Sequence, residues 1–390
     1  MSSALPGWIA KLKKDALEKF SLYPPPRFRH GLTIRLDMAG FDFEKVKLGK
    51  PPGLDRQDFV LDLQTALNRH GEAVQKHLFT SITPADKISA FHIAQCQQVI
   101  VVYVPAGKRI STPIMLYRTH KESCAEHILV IAEKGSSVRI VEIDETRNSN
   151  FLGLPFASKG VEIIAMKDAN VHYSTIQLHH PDVYTFLLRR ARVGKGAGLV
   201  WNECHLGSRA SISSTLSDIV GERGSVRNAG IFFASSTQQV ELSTAVIHHA
   251  PHTSSDMKVK GAVTDKAKGV YNGLIHILNS AHNAEGFQES RMLMLSDECD
   301  ADAIPNLEID NPDVRCSHAA SIGHLDSAAV FYMMSRGMTE ENAKKLIIEG
   351  FFNPLLEQPE LAKLKEKVLA IINTKITASN KQKDEITATA

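Results

Sequence analysis

A short motif recurs through the middle of this 390-residue chain: a basic residue, a small-residue turn and an aliphatic residue that opens a β-branched run. Four full copies reach their aliphatic residue at Val138, Val171, Leu199 and Val270, and a shortened copy reaches it at Val226. Spacings of 33, 28, 27 and 44 residues indicate stacked supersecondary units with loop insertions. Stacking lets each unit bury its inward residues, so the pattern predicts a parallel β-helix. An ordinary β-sandwich with coincidental Lys-Gly turns is the alternative.

The amino-terminal part of the chain has a helical pattern instead. Apolar residues between Trp8 and Phe20 fall near one helical face, and the proline run 24–26 stops that helix. A second helix is expected across residues 57–78. The organisation that follows is an N-terminal helical region at 1–85, a β-helix core at 86–326, a C-terminal helical region at 327–376 and a disordered tail at 377–390.

Helix signals return after the β-rich core. Thr339 is placed as an N-cap, and two acidic residues follow it in the first turn. Gly350 and Pro354 are expected to end this helix, and Pro359 to open the next. We expect residues 327–390 to cover the end of the β-helix.

Charge and apolar runs exclude several classes of protein. Forty-five basic residues against 43 acidic ones leave no electrostatic footprint for nucleic acid. No apolar run approaches the ~20 residues of a membrane span, and the first residues lack a signal-peptide layout, so we expect a cytoplasmic protein that does not bind membranes. Five widely spaced cysteines without a Cys-x-x-Cys pair argue against a disulfide framework and a self-contained zinc site.

Cys316 and His318 are the strongest candidates for metal chemistry. In an extended strand, residues i and i+2 share a face, so this thiol and this imidazole would point the same way. Both are soft ligands that suit zinc, copper or an iron–sulfur cluster, but a closed site takes about four. The remaining ligands must come from elsewhere in the chain or from a partner. A buried structural cysteine beside a hydrogen-bonded histidine is the alternative.

Other motifs carry less weight. His248, His249 and His252 cluster in sequence, but their spacing puts no clean pair on one helix face. The chain has no Gly-x-x-x-x-Gly-Lys-Ser/Thr segment, so we expect no ATP site of its own. It also has no Gly-x-Ser-x-Gly nucleophile elbow.

Several segments together resemble a known family. They are Pro-Asn-Leu-Glu-Ile at 305–309, Val-Arg-Cys-Ser-His at 314–318 and Phe-Tyr…Ser-Arg-Gly at 331–337, with further matches in the same order over residues 10–352. The chain resembles the SufD members of the SufB/SufD family, subunits of the SufB–SufC–SufD iron–sulfur cluster assembly complex. The resemblance implies a right-handed parallel β-helix flanked by helical regions, and a scaffold subunit without catalytic residues.

The resemblance also implies roles for particular residues. The residue matching His318 lies at the SufB interface, opposite a SufB cysteine, where a transient iron–sulfur cluster is shared, and Cys316 matches a common family cysteine. It implies a heterodimer with SufB, with a homodimer as the alternative when the chain is alone. It places the SufC ATPase on the C-terminal helical region, whose apolar candidates for that contact are Met333, Met334, Met338, Leu346, Ile347, Phe351 and Phe352. These residues could instead serve only as core.

Two alternatives stay open. The first is a β-helix enzyme acting on a carbohydrate or acyl substrate, which would need convergent acid or base residues on one outer face. The repeated units show no Asp or Glu register of that kind. The second is a SufB-like paralogue, against which the short N-terminal region and its lack of extra cysteines argue.

Overall fold

The computed structural model describes residues 6–26, 29–30, 34–35, 41–55, 57–146, 151–357 and 364–389. The helices are α1 Gly7–Leu22, α2 Leu63–His77, α3 Lys87–Gln95, α4 Ser327–Ser335, α5 Glu340–Leu356 and α6 Lys365–Thr389, with a 3-10 turn at Phe43–Lys45. Nineteen strands are described. They are β1 Arg29–His30, β2 Ile34–Arg35, β3 Val60–Asp62, β4 Gln98–Val104, β5 Ile114–His120, β6 Cys124–Ala132, β7 Ser137–Thr146, β8 Phe156–Ala165, β9 Asn170–Leu178, β10 Tyr184–Val193, β11 Gly198–His205, β12 Ala210–Ile219, β13 Ser225–Ala234, β14 Gln239–His248, β15 Ser254–Val263, β16 Lys268–Ile277, β17 Ala284–Met294, β18 Asp300–Ile309 and β19 Val314–His324.

Strands β4 to β19 alternate between two sheets. One sheet contains the even-numbered strands in the order β18-β16-β14-β12-β10-β8-β6-β4, and β3 closes its far edge antiparallel to β4. The other contains the odd-numbered strands from β19 to β5, and neighbouring strands within both coil sheets are parallel. Successive pairs, from β4 with β5 to β18 with β19, therefore form eight coils of a solenoid. The predicted parallel β-helix flanked by helices is confirmed.

The sequence repeat corresponds to stacked corners of this solenoid. Val138, Val171, Leu199 and Val226 are register partners on β7, β9, β11 and β13, and all four side chains are buried in the interior core. At the preceding corner a left-handed residue of one coil donates its N–H to a backbone carbonyl of the next. Gly135 donates to Lys167 at 2.9 Å in this way. Glycine adopts this conformation without strain, whereas Asp168 and Arg223 occupy the same position in two other copies; the aliphatic residue is required by the core.

The fifth copy of the motif does not belong to this column. Val270 lies on β16 in the other sheet, where it pairs with Glu241 and Asp302. The spacing of 44 residues is therefore a change of sheet, so its interpretation as a loop insertion was wrong. In the true column, the positions after Val226 are Ser255, Gly286 and Cys316.

The N-terminal helices cover the outer face of the even-numbered sheet. Apolar residues of α1 and α2 pack against the outward side chains of β4, β6 and β8, among them Val101, Leu129 and Ile164. Helix α3 lies within the range predicted for the core, so the solenoid begins at Gln98 rather than at residue 86. The start of α3 is fixed by a capping box between Asp86 and Ser89.

A buried chain of polar groups ties this helical layer to the solenoid. His92 of α3 lies 2.8 Å from the Ser158 hydroxyl and 3.2 Å from His127, whose Nε2 lies 3.0 Å from Glu162. Glu162 also accepts the backbone N–H of Phe79 at 2.6 Å. Both imidazoles are fully buried, and burial lowers the pKa of His92 well below its usual value, so that ring is neutral.

We expect Gly160→Ala to lower the free energy of unfolding by several kcal/mol. Overpacking costs about 1–3 kcal/mol, and the loss of buried hydrogen bonds adds to it. A Cβ at Gly160 would lie 2.5 Å from Nδ1 of His127 and closer still to Nε2 of His92. Gly71→Ala in α2 is the control, because nothing lies within 4 Å of a Cβ there. It should be neutral or stabilising. Urea unfolding curves of the two variants test this, and equal midpoints would show that the polar chain tolerates an added methyl group.

The C-terminal helices cover the outer face of the odd-numbered sheet. Residues of α5 and α6 pack on β9, β11 and β13, where Phe352 and Ile372 contact a cluster that includes Ile231 and Phe233. These helices lie on the side of the solenoid, so the expectation that 327–390 covers its end was wrong. The apolar outward residues of three neighbouring strands give the helices a broader surface to bury than the last coil does.

The predicted boundaries of these helices are partly right. Thr339 caps α5, its hydroxyl accepting the N–H of Asn342 at 3.3 Å. The helix continues through Gly350 and Pro354 to Leu356, so the predicted stop was wrong; Pro354 stands in the last turn, and Leu355 and Leu356 are buried against the sheet. Pro359 lies outside the described residues.

The segment predicted as a disordered tail from residue 377 continues α6 as far as Thr389. No glycine or proline interrupts the sequence there, so nothing local stops the helix. Its last buried side chain is Ile376, and the side chains from residue 379 onward lie outside the described set. None of the described helices is both long and apolar enough to cross a bilayer.

Candidate functional site at the open end of the solenoid

Cys316 and His318 lie on β19, the outermost strand of the odd-numbered sheet. The strand is extended from Val314 to His324, which is the condition for both side chains to share a face. Their register partners on β17 are Gly286 and Gln288. Both residues continue columns that point into the interior of the preceding coils.

Cys316 is half-buried and packs against the interior core, above Gly286. Burial raises the pKa of its thiol, against a smaller opposite effect of the hydrogen bond to the Gly286 backbone. The thiol is therefore protonated at neutral pH and would lose its proton on binding a metal. Cys316 thus packs partly against the interior core and is partly open to solvent at the end of the solenoid.

His318 is exposed, because none of the described strands stacks on β19 as a further coil. Within the described ranges, no strand pairs with the outer edge of β19, so a row of backbone donors and acceptors is open there. Ile322 on the same strand is 45% exposed although its position is an inward one. An unpaired edge with an apolar neighbour is a surface that takes up a strand from another chain.

The structure separates the other histidines from this site. His248 is buried between Thr253 and Ser255, where burial lowers its pKa to about 4. His249 lies 2.7 Å from Asp218. Among the side chains that the structure describes, no group of three or more His, Cys, Asp or Glu is arranged to hold a metal ion.

The seven apolar residues predicted to bind an ATPase fall into two groups. Met333, Met334 and Met338 lie on α4 or just after it, and Leu346 lies on α5; α4 buries only Val330, and Met334 is 42% exposed. Phe351 and Phe352 pack against the sheet, where Phe352 is completely buried, and Ile347 is partly buried. Phe331 and Tyr332, which that list omits, are the most exposed of the patch at 73% and 58%. We call the exposed set Phe331, Tyr332, Met334, Met338 and Leu346 the α4 patch.

A buried charge cluster inside the first coils was missed from the sequence. Lys159 on β8 lies 2.8 Å from Glu126, 3.0 Å from Glu142 and 3.6 Å from Asp144, and all four are at most 3% exposed. Arg118 pairs with Glu126 as well. Strand alternation gives no sign of it, since charged residues at inward positions look like solvent-facing ones.

A histidine completes the charge balance of this cluster. His120 Nε2 lies 2.7 Å from Asp144, and its Nδ1 lies 3.0 Å from the thiol of Cys124. Burial alone would lower the pKa of His120, but Cys124 and Asp144 outweigh burial and raise it to about 10. The imidazolium, Lys159 and Arg118 then balance three carboxylates, which is the condition for keeping such groups in a core.

A family model described as "SUF system FeS cluster assembly, SufBD core domain" matches residues 115–351. This range includes the α4 patch and every strand of the solenoid's two coil sheets after β4. The match also includes Cys316 and His318.

Proteins of three staphylococci are similar over most of the chain. An iron–sulfur cluster assembly SufBD family protein of Staphylococcus saprophyticus is 32% identical over 309 residues, covering 78% of this chain and 66% of that protein. Proteins of the same description from Staphylococcus haemolyticus and Staphylococcus aureus are 32% and 31% identical over 326 residues, covering 82% of this chain and 70% of each relative. The chain thus spans about two thirds of the length of these relatives.

Proposed function

This chain belongs to the SufBD family of iron–sulfur cluster assembly proteins, and from that premise we propose that it is the SufD-type scaffold of a SUF complex rather than an enzyme. One observation carries the proposal: two soft ligands, Cys316 and His318, lie on the last strand of the solenoid, where its sheet edge is unpaired. Ligands at such an edge face whatever chain completes it.

In this proposal the nascent cluster is cargo held between two chains. His318 offers a nitrogen lone pair and Cys316 a thiolate, and SufB supplies the remaining ligands from its own edge. The edge of β19 and the exposed Ile322 support strand pairing as the mode of contact. A second copy of the chain is the alternative occupant when SufB is lacking.

The α4 patch is the proposed contact for SufC. Exposed aromatic and methionine side chains form an adaptable apolar surface of the kind used in helix docking. The ATPase would thus bind on the helical layer while SufB binds at the end of the solenoid, and the complex would work in the cytoplasm.

A crossed pair of substitutions tests this arrangement. Ile322→Asp and Met334→Asp each replace an exposed apolar side chain with a carboxylate; the two side chains are 45% and 42% exposed, respectively. In complexes co-expressed with SufB and SufC and weighed by native mass spectrometry, we expect Ile322→Asp to release SufB and to keep SufC. Met334→Asp should do the reverse, because a charge in the core of an apolar interface weakens binding strongly.

Each variant serves as the control for the other. Phe352→Asp is a third variant that shows the effect of a damaged core, because this ring is fully buried between the C-terminal helices and the sheet. Loss of both partners in Met334→Asp, as with Phe352→Asp, would mean that the patch is part of the core. Retention of SufC by Met334→Asp would place the ATPase on another surface. Retention of SufB by Ile322→Asp would show that SufB does not bind at the unpaired edge of β19.

A further inference from the structure

His318 ends a column of stacked inward side chains. Each member of the column is the register partner of the next on the neighbouring strand of the odd-numbered sheet. The column runs Ile140, Tyr173, Trp201, Asn228, Met257, Gln288 and His318. Most of it is apolar core, but the residue directly beneath His318 is a glutamine.

Gln288 belongs to a buried polar layer beneath the last coil. The Tyr271 hydroxyl, Gln288 Oε1 and the Ser290 hydroxyl are all buried, and none has a hydrogen-bond partner among the described residues. An unpaired buried polar group costs about 1–3 kcal/mol, which an apolar side chain would avoid. Two of them lie on β17 and the third on β16 of the same coil, so an unpaired polar layer crosses the interior there.

The orientation of the Gln288 amide is fixed by its other end. Its Nε2 donates to the backbone carbonyl of Asn306 on β18 at 2.9 Å, and a carbonyl can only accept. The free atom is therefore the oxygen, an acceptor in need of a donor. A Cβ at Gly273 would collide with both this oxygen and the Tyr271 hydroxyl, so the two polar atoms lie side by side against the glycine.

His318 is the register partner of Gln288 on the next strand, and its imidazole carries an N–H that can donate. Neighbouring strands of a sheet lie about 4.8 Å apart, so inward side chains at paired positions are within reach of each other. The His318 ring makes no hydrogen bond to any described residue, and as an exposed side chain it turns between rotamers at little cost.

We propose that Gln288 is a positioning residue for His318: its Oε1 accepts a hydrogen bond from one imidazole N–H and so fixes which ring nitrogen keeps its lone pair for iron. The inference rests on the proposed function of His318 as a cluster ligand. Metal-binding histidines in proteins regularly donate their second ring nitrogen to such an acceptor, which sets both tautomer and ring orientation. Tyr271 and Ser290 complete the layer around that acceptor.

The test is a pair of variants in the full chain with ¹⁵N-labelled histidine, using His318→Gln to assign the signal. Gln288→Met keeps the volume and removes the acceptor, and Gln288→Glu keeps an acceptor at the same place. We expect one dominant His318 tautomer in wild type and in Gln288→Glu, and a mixture in Gln288→Met. Cluster formation by the complete complex should fall about tenfold in Gln288→Met and recover in Gln288→Glu, the size typical of losing such a partner.

Asn228→Leu is the matched control, since Asn228 stands in the same column and is also unpaired, but is separated from Gln288 by Met257. It should leave the His318 signals unchanged. An unaltered tautomer in Gln288→Met, or an equal change in Asn228→Leu, would overturn the positioning role. If the tautomer responds as expected while His318→Ala still builds clusters, the positioning role stands and the proposed function fails.

Discussion

Replacing His318 with alanine is expected to reduce cluster formation by the assembled complex about 10- to 100-fold, the range seen when the ligand environment of a protein-bound metal is disrupted. The side chain is exposed and makes no hydrogen bond to a described residue, so the free energy of unfolding should change by less than about 0.5 kcal/mol. Complex assembly and ATP hydrolysis should therefore persist. Iron and sulfide content and the visible absorbance of purified complexes measure the loss.

His249→Ala is the control for this result. His249 is paired with Asp218, outside the last coil, and its removal should have a much smaller effect on cluster formation. If His318→Ala built clusters as well as wild type while Cys316→Ala or His249→Ala abolished them, the assignment of the cluster site to His318 would be wrong.

Lys159→Met is expected to have the largest effect on stability, about 3–5 kcal/mol, the usual loss when one partner of a buried ion pair is removed. Without Lys159, three buried carboxylates lose the one cation that lies within 4 Å of each of them. The long methionine side chain keeps most of the volume, so the loss reports charge rather than a cavity. Urea unfolding at neutral pH measures it.

The dependence of this loss on pH identifies its cause. Burial alone would raise the pKa of Glu126, but Lys159 and Arg118 outweigh burial and lower it to about 2; Asp144 is lowered as well. In wild type the unfolded state thus binds more protons below about pH 5, and stability falls as pH drops from there toward 2. In Lys159→Met the carboxylates lose their cation and their pKa values rise in the folded state. The difference in stability between the variant and wild type should therefore be smaller at pH 4 than at pH 7.5.

Lys195→Met provides the comparison, because Lys195 forms an exposed pair with Glu222 at a corner of the solenoid. Exposed pairs contribute little, so its unfolding curve should match wild type at both pH values. A pH-independent loss in Lys159→Met, or equal losses in the two variants, would show that the buried cluster does not depend on its charges.

The architecture could be predicted from the sequence because the repeat reflects a physical requirement at each corner. Val138, Val171, Leu199 and Val226 recur since one column of the core needs an aliphatic residue, and each follows a left-handed turn that stacks on the next coil. Val270 shows the limit of this reasoning. The two corners of a coil have similar turn chemistry, so a motif does not reveal which sheet it opens.

The same contrast holds for the site. Alternation along one strand predicted that Cys316 and His318 share a face, since that geometry is local. The role of Gln288 could not be predicted, because it depends on the register between β17 and β19, 30 residues apart in the chain. Lys159 and its carboxylates were missed for the same reason, since their contacts join three different strands.

The unpaired edge of β19 also bears on the order in which the protein is made. A solenoid can fold coil by coil, because each repeat contacts only its neighbours, and synthesis delivers the amino end first. The first coils, with β3 on the edge of β4 and the helical layer on their outer face, therefore leave the ribosome before the last coil exists. An exposed edge is a hazard for aggregation in any β protein. Here the strand with that edge is the last of the described strands to be translated, so a newly made chain spends less time with it uncovered before a partner arrives.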